Sequence, residues 1–355
     1  MRLLLDADPP FARWCAWGGG QALRAGRSAF RQSWLKSLSR GLGPRGEVTS
    51  VSYRLRHGGD RIRVPAQRVT WESVGMLREV RRFEPERNEL TYEVLRELLA
   101  ALPDVPHFVM CETAFFLALP EPASAYAVPA ELRNRGVRRY GGSGLVHEWV
   151  WRGVHERFGS AVSRVVSIQL GDHPNVAALK DGLPVETTMG FTPVEGIPSH
   201  TGCGDVDVSV VFELRASGMP LSEINEMLSA RSGFRALVGR RCGFRDLVAP
   251  GLDAKREWTR RILRYDLVKS VGACAAVLGG VDAVVFAAED PSGCASFILE
   301  ICRDLAPLGL RIRPAGPSGD DGVFSEDGSG VKVVNLEAKL WHVMAARAET
   351  LEKEE

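Results

Sequence analysis

The sequence predicts an α/β protein of two domains, and three observations carry that prediction. Short apolar runs of strand length alternate along the chain with longer segments whose apolar residues recur at three- and four-residue spacing. Gly and Pro punctuate the boundaries between them. A length of 355 residues with 45% hydrophobic and 25% charged content leaves room for two sizeable cores.

Residues 3–5 form an apolar strand that stops at Asp6, and Pro9-Pro10 then removes two ladder donors, so pairing is expected to end there. Residues 18–46 are rich in Gly, Arg and Ser with little period, which reads as loop or frayed structure. Residues 48–56 alternate as a strand and stop at the turn His57-Gly58-Gly59. Leu90, Val94, Leu95, Leu98 and Leu99 lie on one face of a helix over 88–102, which Pro103 ends. A strand follows at 108–111, then a Pro- and Ala-rich connection to Tyr140. Further on, 145–158 reads as a helix, 165–170 and 176–180 as strands, and Asp181-Gly182 as a hairpin turn into Val185. Helices are expected over 208–217, 221–229, 255–278 and 295–305, strands at 283–287 and 331–334, a loop over 314–330, and a last helix over 337–353. There is no short internal repeat.

The formal net charge is +1, so no global field favours nucleic acid or an anionic membrane as partner. Seven cysteines, an odd number with no CxxC pair, read as reduced thiols of a cytoplasmic protein rather than disulfides or a zinc site. The apolar run in the opening MRLLLDADPP is too short for a signal peptide, and no stretch reaches the ~18 residues needed to span a bilayer.

Several blocks, in order, resemble the acetate/propionate kinase family. SYRLRHGGD is similar to its G-H-R-V-V-H-G-G block, and VMCETAFFLALPEPASAYAVPAELRNRGVRRYG to V-F-D-T-A-F-H-x-T-M-P followed by Y-A-I-P. RRYGGSGLVHEWV resembles R-R-Y-G-F-H-G-T-S-H, and TMGFTPVEG resembles T-S-M-G-F-T-P-L-E-G. TGCGDVD stands against G-T-R-S-G-D-I-D, and AVLGGVDAVVFAA against A-A-L-G-G-x-D-A-L-V-F-T. The likeness runs over roughly residues 51–350. It implies the fold shared by acetate and sugar kinases, heat-shock chaperone ATPases and actin, with a shortened first domain over 1–140 completed by the helix over 337–355, and a second domain over 141–336. It also implies transfer of the γ-phosphoryl group of ATP to a short carboxylate, with Mg²⁺, in a homodimer.

The resemblance carries Arg54, His57, Gly58, Gly59, Phe191 and Pro193 over as substrate-binding positions. Arg54, Glu112, His147, Gln169, Asp172 and His173 fall at catalytic positions, and Phe244 and Arg245 on the nucleotide side; no metal ligand set is assigned. The departures are many. ADPPFARW, residues 7–14, replaces the family's N-A-G-S-S-S-x-K, without its hydroxyls, Gly and Lys. Glu112 replaces Asp, a longer carboxylate able to hold Mg²⁺ through water. Ser143 replaces the first His of the G-F-H-G block. Gly202, followed by Cys203, replaces the phosphate-binding Arg, and single groups of that kind contribute roughly 10²–10⁵ in rate. The late G-G-I-G-E-N loop has become residues 288–293, and the Glu of T-N-E-E-L has no counterpart before Trp341-His342.

Each position also has an ordinary structural reading. Arg54 with His57 forms either an anion site or a simple pair, and His147 either a catalyst or a hydrogen-bonded structural histidine. Gln169, Asp172 and His173 form either a ligand cluster at a strand end or a solvated loop. Cys203 is either a reactive thiol or a small inert residue between glycines. Three functions stay open: a family member without ordinary acetate kinase activity, either an enzyme rebuilt for a carboxylate or acyl phosphate or a binding pseudoenzyme; a non-catalytic partner of a pathway enzyme; and a short-chain carboxylate kinase using Arg54, Glu112 and His147.

Overall fold

The computed structural model describes residues 1–31, 34–42, 48–313 and 322–354. Its strands are β1 (Arg2–Asp8), β2 (Phe11–Gly18), β3 (Gln21–Ala29), β4 (Ser50–Leu55), β5 (Ala66–Val69), β6 (His107–Cys111), β7 (Arg164–Gln169), β8 (Asn175–Lys180), β9 (Leu183–Thr187), β10 (Ala283–Ala288) and β11 (Lys332–Glu337). Its α-helices are α1 (Trp34–Leu42), α2 (Val74–Val80), α3 (Pro85–Ala101), α4 (Glu121–Ser124), α5 (Ala130–Asn134), α6 (Gly144–Phe158), α7 (Ser209–Ala216), α8 (Leu221–Ala230), α9 (Gly233–Val238), α10 (Phe244–Val248), α11 (Ala254–Leu278), α12 (Ala295–Asp304) and α13 (Leu340–Glu354). They fall into two units: Met1–Leu117 with Gly142–Leu145 and Lys339–Glu355, and Ala118–Gly141 with Val146–Ala338. No helix among the described residues is long and apolar enough to cross a membrane.

The first unit is built on a sheet of order β3-β2-β1-β4-β6-β5, in which β1, β4 and β6 run parallel. Here two expectations fail. Pro9-Pro10 does not end the ladder: it is the two-residue turn of a hairpin whose register runs from Asp8 opposite Phe11 to Arg2 opposite Trp17. The prolines sit where the turn needs no ladder donor. The loop expected over 18–46 contains β3 and α1, while residues 32, 33 and 43–46 of that span lie outside the described residues. Gly19 and Gly20, both at positive φ, close a second hairpin. The edge strand β3 buries almost nothing, so it shows no apolar alternation for a sequence reading to detect. α1 buries Trp34, Leu38 and Leu42, one per turn.

α3 covers the sheet with Leu90, Val94, Leu95, Leu98 and Leu99 and stops before Pro103, as its spacing predicts. Asn88 on this helix donates to the carbonyls of His57 (2.8 Å) and Val80 (3.0 Å) and so fixes the turn after β4. α13 packs Val343, Met344, Ala345 and Ala348 against the same sheet, tied by the Arg2–Glu352 pair at 2.7 Å.

A buried Tyr53–His107 pair links β4 to β6 at 2.7 Å. Nε2 of His107 lies 3.1 Å from the Leu102 carbonyl, which can only accept, so Nδ1 accepts from the Tyr53 hydroxyl and the ring is neutral. Burial holds this histidine below its ordinary 6.5, against a smaller opposing effect of the carbonyl. The unfolded chain therefore binds the proton first as pH falls. Stability is expected to be full above about pH 6.5 and to drop below it by at most ~1.4 kcal/mol per pH unit from this group until the lower folded value is passed. Urea unfolding of the protein and of His107→Asn between pH 7.5 and 5 measures it; equal slopes in both proteins would refute the assignment.

The second unit has a sheet of order β11-β10-β7-β8-β9, with β7, β10 and β11 parallel. Its core joins Val166, Ile168, Leu267, Phe286, Phe297 and Ile301. α11 presents Leu263, Leu267, Val271, Cys274 and Leu278 to it, starts at an Asp253 cap that accepts from Arg256 N, and ends at Gly279 in the left-handed conformation. The expected boundary at 140 shifts: residues 118–141 pack with this unit. Tyr140 N donates to Gly190 O at 2.9 Å, and the Tyr126 hydroxyl donates to Glu195. Of the loop expected over 314–330, residues 314–321 lie outside the described residues, and Val323 bridges to Val334.

Candidate functional site

In the first unit, the parallel strands bring charged residues to their carboxyl ends, where open α/β sheets hold ligands. Asp6 on β1 is in register with Arg54 on β4, and on its other side with Arg13 of β2. Arg56 lies two residues on, hence on the same face as Arg54. Glu112 directly follows β6, its amide held by Leu55 O at 3.0 Å.

These side chains form one network. Arg54 gives Nε and Nη2 to Oε1 of Glu112, and its Nη1 lies 3.3 Å from Oδ2 of Asp6. Arg56 binds Oδ1 of Asp6 at 2.8 Å, and Arg13 lies 3.9 Å from Oδ2. The second oxygen of Glu112 accepts from Leu145 N at 2.8 Å. That approach needs Gly144, where a Cβ would stand 2.2 Å from the Glu112 carbonyl oxygen.

Asp6 is 0%, Glu112 1% and Arg54 5% exposed. Burial alone would raise the Asp6 pKa, but Arg56, Arg54 and Arg13 outweigh it and hold the carboxyl below its usual range. Burial likewise opposes the charge on Arg54, and Glu112 with Asp6 more than restores it. Arg56 is left short: burial and then the like charge of Arg54 pull it down to about 10, and among the described residues its Nε has no hydrogen-bond partner.

The structure thus joins two of the expected positions, Arg54 and Glu112, and adds Asp6, Arg13 and Arg56, which the sequence reading passed over. A signal existed: an acidic residue inside the apolar run LLLDA, and two arginines at strand spacing. Arg13, on the second strand of the N-terminal hairpin, is a basic group within the stretch that lacks the family's Lys. His57, Gly58 and Gly59 are not presented for binding. The His57 ring stacks on Phe83 at 4.4 Å and accepts from Gly59 N, and a Cβ on Gly58 would meet the Cys111 sulfur at 2.5 Å.

Mg²⁺ does not fit this set. It demands a near-octahedral shell of oxygens, several of them water, whereas both oxygens of Glu112 and of Asp6 already accept N–H donors beside three guanidinium groups. Glu112 therefore has no oxygen left for the ion's water. Among the described residues, no group of three His, Cys, Asp or Glu side chains converges as a metal site.

In the second unit, His147 is 0% exposed and hydrogen-bonded at both nitrogens, to Ser167 Oγ and Asn175 Oδ1, each at 2.7 Å. Asn175 Nδ2 donates to His173 O and Gln169 Oε1, so the Asn175 oxygen faces His147 and accepts from Nε2–H. Both ring nitrogens are thus engaged within the unit. Gln169 belongs to the same network, through Asn175.

Asp172 accepts from Phe244 N at 2.7 Å, while its own carbonyl accepts from His200 N at 2.8 Å; the His200 ring packs edge-on to His173 at 4.8 Å. Phe244 is a core residue against Phe297, and Arg245 is exposed. Asp290, in the loop that stands for the late glycine loop, accepts from Ser292 Oγ and Gly293 N, which lowers its pKa. Phe191 and Pro193 lie in a loop knotted by Tyr126 and Glu195, with Phe191 N donating to the Tyr126 hydroxyl at 2.8 Å. Burial raises the Cys203 pKa and its thiol donates to Gly204 O, so it is a thiol and not a thiolate.

Two α/β units, each with a mixed sheet flanked by helices, define the class: the two-sheet fold of acetate and propionate kinases. Crystal structures of acetate kinase from Porphyromonas gingivalis (TM-score 0.85, 23% identity, 98% of each chain) and of a propionate kinase from Francisella tularensis (TM-score 0.87, 21%, 97% of each) share it. The family model described as the acetokinase family matches residues 34–345, and the chain belongs to that family. Acetate kinases of Bacteroides fragilis (33% identical over 297 residues, 81% of this chain and 74% of the relative) and Coprothermobacter proteolyticus (32% over 299 residues, 82% and 74%) are among its relatives.

Proposed function

We propose that this member of the acetokinase family does not phosphorylate acetate with ATP and acts as a binding protein. The observation that carries the reading is Arg54. The guanidinium that the resemblance assigns to a substrate carboxylate already holds two carboxylates of its own chain out of water. An internal carboxylate loses no translational freedom on pairing, so free acetate competes poorly for the position. The nucleotide side follows the same pattern. Asp172 and Asp290 hold backbone donors that a phosphate or ribose would need, and Gly202 stands where the family carries its phosphate-binding Arg.

The test is hydroxylamine trapping of acyl phosphate from acetate or propionate with Mg·ATP, alongside calorimetry with Mg·ATP and ADP. Bacteroides fragilis acetate kinase serves as the active control. No acyl phosphate and no saturable heat are expected. Turnover near 1 s⁻¹ or above, inside the ordinary enzyme range, would restore the carboxylate kinase reading. Nucleotide binding with no turnover of either acid would favour a rebuilt enzyme.

The same reading includes a homodimer joined through the second unit. α7 buries none of its residues, Phe212 is 66% exposed, and Val208 and Leu221 are exposed nearby in the chain. A helix this short is marginal in water without a packing partner. Light scattering is expected to give twice the chain mass, halved by Phe212→Glu; a monomeric parent would sink the idea.

A further inference from the structure

The N-terminal hairpin and the helix after it carry a charge pattern of their own. Between Asp8 and Glu47 the sequence has no Asp or Glu, while Arg24, Arg27, Arg31, Lys36 and Arg40 are all exposed. The fold gathers them. α1 lies against β3, with Ser28 Oγ 3.4 Å from Ser37 Oγ and Arg24 reaching Gly41 O at 3.3 Å. Arg24 thus stands beside Arg40 at the end of α1, while Arg27, on the other face of β3, lies over the Phe11 ring at 4.9 Å, so cations flank the edge on both faces. The acid at this helix, Glu97, accepts from Trp34 Nε1, and among the described residues none of the five cations is paired with a carboxylate.

β3 is also the sheet's outer strand. Among the described residues it pairs with β2 alone, and its first seven residues are exposed, which leaves its outer backbone edge open to a further strand. Clustered cations on such an edge repel a second copy of the same edge.

We propose that the β3–α1 surface docks an acidic segment of a partner protein, added in extended form to the β3 edge with its carboxylates on these arginines and Lys36. Nucleic acid fits less well. Trp34 is buried and Phe30 and Phe11 are only half-exposed, so the surface lacks a stacking platform. A bilayer fits less well too, because Leu23 is the large apolar side chain exposed on β3. This proposal goes beyond the reading of the family site and does not depend on it.

The experiment titrates the full chain with a labelled ten-residue peptide of alternating Glu and Val, read by fluorescence anisotropy at low ionic strength. A Lys–Val counterpart, a single-stranded oligonucleotide and phosphatidylserine vesicles are run beside it. Saturable binding of the acidic peptide alone is expected, weakening with salt. The triple variant Arg27→Glu, Lys36→Glu, Arg40→Glu leaves buried Trp34, Leu38 and Leu42 untouched and is expected to bind at least about tenfold more weakly. Its thermal melt checks that it folds. N-methylation at alternate peptide residues removes ladder donors and is expected to weaken binding similarly. The proposal is overturned by absent binding, by affinity indifferent to charge reversal or N-methylation, or by tighter binding of oligonucleotide or vesicles.

Discussion

Replacing Arg54 by Ala is expected to lower the unfolding free energy of the first unit by about 3–5 kcal/mol. The cost arises less from the lost attraction than from what stays behind, since Glu112 and Asp6 are buried carboxylates that would lose this guanidinium as a partner. Arg56 and Arg13 would still hold Asp6, but Glu112 would keep only Leu145 N. The double variant Arg54→Ala, Glu112→Ala is therefore expected to lose less than the sum of the single changes. Urea titration of the four proteins measures both quantities. A single-variant loss below ~1 kcal/mol would mean that the Arg54 site is solvated and open, which would also undercut the binding-protein reading.

His147→Ala should cost about 3 kcal/mol, from the cavity and from the polar atoms of Ser167 and Asn175 that lose their partner. Asn175 also orients the 169–175 loop through Gln169 Oε1 and His173 O, so chemical-shift changes are expected to reach that loop. A variant as stable as its parent would point back to a catalytic histidine. The two roles differ in a measurable quantity, because a catalytic group costs activity and a structural one costs stability.

Much of the fold was legible in the residues. Spacing placed α3, α11 and the strands β4, β6, β7, β8 and β10 to within a few residues, since each buries one face or lies inside a core and its apolar residues must recur at the element's period. The hairpin of β2 and the edge strand β3 were hidden for the opposite reason. β3 buries almost nothing, and Pro9-Pro10 looks like a break until the turn is known.

The candidate site divides the same way. Arg54 and Glu112 could be picked out because they stand in blocks that resemble the family. What they do could not, because charge pairing depends on register: Asp6 meets Arg54 only when β1 lies beside β4 in parallel, with more than forty residues of chain between them. His147 shows no sign in its sequence neighbours that Ser167 and Asn175 will take both its nitrogens.

The sequence by itself determined the α/β class and the family, because apolar period and ordered motifs are local properties of the chain. Only the tertiary structure decided that Arg54 is held by internal carboxylates, that both nitrogens of His147 are hydrogen-bonded, and that Arg24 meets Arg40 where β3 packs on α1. Those are distances between residues far apart in the chain, and strand register and helix packing set them.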